Sequence, residues 1–217
     1  MVKRIVTSVV VCAAALMLAA APAEAQLCGG APAFATAPLQ VGTGLSFTDG
    51  AKAFGVGFAG GGQSAFAGVN FARTNLSDVG VSAKTLSGLV GGQMGSGRVA
   101  VCPIGELGYT WGPDLLLVNL KTLTGVGGLR VGVAANDSDV LMVVPSFGAG
   151  IVWERTTMTD IFDVTQNATD YYGIADAGVG LIFNRAVAVV PGISFPFATG
   201  FGTDVTFTLR FVVNFGG

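Results

Sequence analysis

The sequence predicts an all-β chain, a closed antiparallel up-and-down transmembrane β-barrel of about ten strands, with eight as the alternative. Three observations predict it. Segments alternating at period two follow one another from Leu39 to Phe215; charge is scarce and confined to one face or to segment ends; aromatic residues gather where segments begin or stop. Hydrophobic residues make up 51% of the 217 and charged residues 11%, about half the usual charged share of a soluble domain. The net charge of -2 offers no basic footprint for nucleic acid.

The N-terminus reads as an export signal over residues 1–25. Lys3 and Arg4 precede the apolar run Ile5 to Ala20, and Ala23-Glu24-Ala25 forms an A-x-A cleavage site before Gln26. The small residues and Pro22 favour cleavage over a retained anchor helix, and Gln26-Leu27 before Cys28 is a poor lipobox. Cleavage removes Cys12 and leaves Cys28 and Cys102, which in an oxidising compartment most simply form one disulfide; two buried thiols are the other reading. Two thiolates without any histidine make a poor metal site.

Residues 26–38 are an irregular N-terminal segment, and the barrel is expected over 39–217. Leu39 to Phe47 alternates up to the turn Thr48-Asp49-Gly50, and Lys52 to about Gly60 sets Phe54, Val56 and Phe58 against Ala53, Gly55, Gly57 and Ala59. Ala65 to Thr74, a less well sorted Val81 to Met94, and Arg98 to Trp111 follow. Asn119 to Val133 directs Leu123, Leu129, Val131 and Val133 one way and Thr122, Thr124, Gly128, Arg130 and Gly132 the other. After Val140 to Trp153, the interval Glu154 to Asp170 has no useful period and is expected to be an exposed loop. Tyr171 to Phe183 and Val187 to Phe197 form a hairpin over Asn184-Arg185, and Thr206 to Phe215 closes the ring. Each segment suits a tilted strand of roughly 9–11 residues crossing a bilayer, and no stretch after the signal approaches the ~20 apolar residues of a spanning helix.

A β-sandwich shares this alternation, and the position of the charges separates the two. Well inside the segments only Arg130 and Arg210, with Glu106 and Asp176, carry charge, and all four project with the glycines and threonines. The opposite face is almost free of charge, which is a liability in water and a requirement against lipid. Phe47, Tyr109, Trp111, Trp153, Tyr171, Phe197 and Phe215 form the expected aromatic belts.

Together with the cleavable signal and the run of hairpins, the terminal pattern Phe211-x-Val213-x-Phe215 resembles small bacterial outer-membrane barrels of the OmpA-like and OmpX-like type. The resemblance implies an outer-membrane location and a terminal strand read by the barrel-assembly machinery. Gly216 and Gly217 beyond the aromatic, and ten strands rather than eight, depart from it.

Gly55-Val56-Gly57-Phe58-Ala59-Gly60 spells a dinucleotide fingerprint inside a strand with no helix after it, so no cofactor is expected. The chain has no histidine, which removes the usual base for an activated serine, and an enzyme is not expected. The expected role is structural or surface-interacting through external loops, with outer-membrane lipid as the surrounding partner. A narrow channel for small or apolar solutes is the alternative. Inside the barrel, Glu106, Arg130, Asp176 and Arg210 are expected to form a charge-paired network, with Asp176 close to Arg210.

Overall fold

A computed structural model describes residues 38–215 except 63, 78–79, 97, 116–117, 137, 139, 161, 163 and 198–203. The predicted signal at 1–25, all of the N-terminal segment but Pro38, the connection Ala198 to Thr203 and the two final glycines lie outside the described residues.

Eleven strands are described. They are β1 (Leu39–Thr48), β2 (Ala51–Gly61), β3 (Ala65–Leu76), β4 (Val81–Gly92), β5 (Met94–Ser96), β6 (Val99–Leu115), β7 (Val118–Val133), β8 (Leu141–Asp160), β9 (Thr165–Phe183), β10 (Val187–Phe197) and β11 (Thr206–Phe215). All pairings are antiparallel. Sequence neighbours pair except β4 with β5, β1 pairs with β11, and β4 pairs with β6, so the ten long strands close into a ring while the short β5 pairs only with the start of β6. The expected ten strands are therefore present, with β5 as an addition.

Face assignment follows the alternation. Leu107 is 65% exposed and Phe147 60%, whereas Val144 and Val190, on the opposite face, are buried. Ala134, Met142, Val144, Ile182, Ala188 and Val190 pack together inside the ring at the end where β1 begins and β11 ends, with Val212 against them. The connections at this end vary in length, from three residues after β2 and after β9 to seven after β7. Asn184 and Arg185 both have positive φ, 47° and 55°, and Ala186 N donates to Phe183 O at 3.0 Å, a primed turn within the three-residue connection between the paired Phe183 and Val187. Between β7 and β8, Asn136 Nδ2 donates to Leu141 O and Val143 N donates to Asn136 Oδ1, both at 2.8 Å.

Two expectations are corrected at the other end. Glu154 to Asp170 is not a loop: β8 runs on to Asp160, β9 begins at Thr165, and the pairs run from Thr159↔Thr165 to Glu154↔Asp170. Threonine favours extended backbone, and with water on both faces nothing selects an apolar period. Nor does the segment expected over Arg98 to Trp111 stop at Trp111, where Gly112-Pro113-Asp114 follows. That tripeptide is an irregularity in register between Trp111 and Asp114, after which β6 pairs on to Leu115, with Gly112 at φ 79° accommodating the distortion. Strands β6 to β9, of 17, 16, 20 and 19 residues, thus make a tall wall beside strands of 10 to 12.

Candidate functional site: the barrel lumen

The four charges expected inside the barrel do lie on inward-facing positions. Arg130 on β7 stands opposite Gly148 on β8, which stands opposite Asp176 on β9. The two side chains meet across the glycine, Arg130 Nε to Asp176 Oδ2 at 3.4 Å. A Cβ at 148 would run into Asp176 Oδ1 and come within 2.9 Å of Arg130 Cγ, so the pair needs a residue without a side chain between its partners. Neither the period nor the charge count signals Gly148; a glycine midway between two inward charges is the only sequence cue.

Asp176 thus pairs with Arg130, and Arg210, the partner expected for it, lines the same cavity as both. Arg210, opposite Gly44 and Val190 on its neighbouring strands, lines both cavities of the lumen, and so does Glu106. Among the described residues Glu106 forms no ion pair. The cavities measure about 390 and about 240 Å³. They share Ile104, Glu106, Arg130, Thr208 and Arg210, so the charges stand where the two spaces meet. The larger one exists because β1 and β2 present Gly42, Gly44, Gly55 and Gly57 to it. The dinucleotide-like spelling is accordingly a stretch of barrel wall inside β2.

A second polar group sits at the upper rim, beyond the apolar band. Glu154 is paired in register with Asp170, and Tyr172 Oη donates to Glu154 Oε2 at 3.5 Å. Burial holds the Glu154 carboxyl above its ordinary range, the Tyr172 bond opposing the shift and the Asp170 charge adding to it.

Cys102 is fully buried and disulfide-bonded; Cys28, its predicted partner, lies outside the described residues. Phe211, Val213 and Phe215 all point outward from β11 and are exposed, at the seam with Thr43, Val41 and Leu39 of β1. Trp153 and Tyr171, directly opposite each other, mark the level at which the outer faces of β8 and β9 turn from apolar to polar rather than the ends of those strands. Among the described residues no group of acidic, cysteine or histidine side chains has the makings of a metal site.

A ring with an apolar outer band, aromatic residues at its margin and its mid-strand charges turned inward is a membrane-spanning barrel. No family model matches the chain, and no curated protein is similar to it in sequence. Among the solved structures that it resembles are small bacterial outer-membrane barrels. The translocator domain of the autotransporter NalP from Neisseria meningitidis has 12% identity and a TM-score of 0.50, over 82% of this chain and 87% of that one. The N-terminal beta-barrel domain of Pseudomonas aeruginosa OprF has 11% identity and a TM-score of 0.39, over 82% and 96%. Ail, the attachment invasion locus protein of Yersinia pestis, has 10% identity and a TM-score of 0.43, over 82% and 95%. At these identities the likeness is one of fold.

Proposed function

We propose that this chain is exported to the bacterial outer membrane, is folded there by the barrel-assembly machinery through Phe211, Val213 and Phe215, and acts through the wall that it raises above the membrane. One observation carries the reading: β8 continues past Trp153 and β9 begins ahead of Tyr171, so a polar sheet stands beyond the apolar band. The tall polar wall at one end, with the start of β1 and the end of β11 at the other, supports placing that other end in the periplasm and the wall outside. The chain has no histidine, and the reading includes no catalytic step.

The two cavities favour a second reading, a narrow channel for small or apolar solutes. Against it stand the buried apolar cluster at the terminal end of the lumen and the general rule that rings of this size are filled by side chains. Planar-bilayer recording of the purified barrel separates the two. The surface role predicts no stable single-channel openings; reproducible openings would establish the channel instead.

A further inference from the structure

Five basic side chains stand exposed on the outer face of the barrel. Lys52 alternates with Phe54 on β2, Arg73 with Phe71 on β3, Lys84 with Leu86 on β4, Lys121 with Leu123 on β7, and Arg155 with Trp153 on β8. All five lie towards the end opposite the start of β1 and the end of β11. Four belong to one connected patch: Arg73 is opposite Lys84, Lys84 opposite Trp111, Trp111 opposite Lys121, and Arg155 opposite Leu123 two positions further along β7. The ring centroids of Phe71 and Tyr109 lie 6.3 and 6.1 Å from that of Trp111.

Charge is sorted by face here. Glu106, Glu154, Asp170 and Asp176 all project inward from their strands, so the five basic side chains share the outer strand faces with none of these carboxylates, while Asp49 and Asp204 stand exposed in connections at the same end. Arg73 and Lys84 are like charges directly across an antiparallel pair, which destabilises a sheet unless an anion lies over both. Arg73 uses one donor on Ser82 Oγ at 3.3 Å, and a guanidinium has further donors to offer. Aromatic rings occupy the headgroup level of a membrane, and basic side chains beside them meet lipid phosphates.

We propose that Arg73, Lys84, Lys121 and Arg155, with Lys52 continuing the belt, bind the phosphate groups of an anionic lipid in the leaflet at that end. The acyl chains of that lipid lie on the apolar band beneath. The inference rests on the membrane reading given above, and it names the lipid chemistry that the rim selects.

Native mass spectrometry of the folded barrel in detergent tests it, with a bis-phosphorylated glycolipid and its dephosphorylated counterpart as probes. The wild type is expected to prefer the phosphorylated form about tenfold or more, less so at high salt. The preference is lost in R73Q/K84Q/K121Q/R155Q and in the smaller variant R73Q/K84Q, and it is kept in R98Q/R185Q at the opposite end. Equal retention of the two lipids, or an unchanged preference in the quadruple variant, overturns the proposal. Competition by inorganic phosphate at the lipid's own concentration would identify a free-anion site and overturn the lipid assignment. A heat-dependent gel shift and vesicle insertion report folding. A chain that never inserts overturns the membrane reading, whereas one that inserts without preference overturns the lipid site alone.

Discussion

At the scale of single residues, the pair between Arg130 and Asp176 shows what a glycine contributes inside a narrow ring. The two charges sit on strands that are not neighbours, and they meet only because Gly148 leaves the intervening position empty. Their side chains remain 34% and 27% exposed, so water screens the attraction. Replacing Asp176 by Ala is expected to cost about 1–2 kcal/mol, chiefly by leaving Arg130 without its counter-charge. Chemical unfolding in vesicles measures the loss, and Arg130→Gln combined with Asp176→Asn should cost less than the sum of the two single changes. The inward direction of all four charges was legible from alternation, because a strand side chain can point only one of two ways. That Asp176 meets Arg130 was not, since that depends on shear around the ring and on a missing Cβ.

Among the elements, the strands with an apolar face were legible nearly to their ends, β11 to the residue, because lipid on one side imposes a period on the sequence. The upper parts of β8 and β9 were not. From Thr156 to Asp160 and from Thr165 to Asp170 neither face needs to be apolar, so an ordered sheet reads like a loop. Side-chain bonds between neighbouring strands supply the order: Thr122 Oγ1 with Thr156 Oγ1 at 3.2 Å, and Thr157 Oγ1 donating to Asn167 Oδ1 at 2.9 Å. At the foot of β6, Cys102 offers a fastening for the segment that precedes β1, and we propose Cys28 as the other half of the bond. Peptide mass mapping of the mature protein is expected to find the 28–102 crosslink before reduction and not after; free Cys28 in the folded, unreduced protein would refute the pairing.

For the molecule as a whole, the outer face separates a membrane barrel from a soluble sandwich. Leu107 is exposed on the band in β6, well below Trp111. In lipid, Leu107→Arg is expected to destabilise by about 2–4 kcal/mol if it lies near the midplane, measured as a shift in the unfolding midpoint in vesicles. On a water-facing sheet the same change would stay within roughly 0.5 kcal/mol.

The seam where β1 meets β11, from Leu39↔Phe215 to Phe47↔Phe207, sets the order of events in the life of the chain. The first strand of the ring waits for the last, and until β11 arrives both β1 and β10 are open edges able to pair with any other chain. Such a ring cannot close piecemeal as the chain emerges from the ribosome. Closure is a single late event that needs the whole run of strands, and the bilayer that holds the barrel is where its apolar outer band is covered.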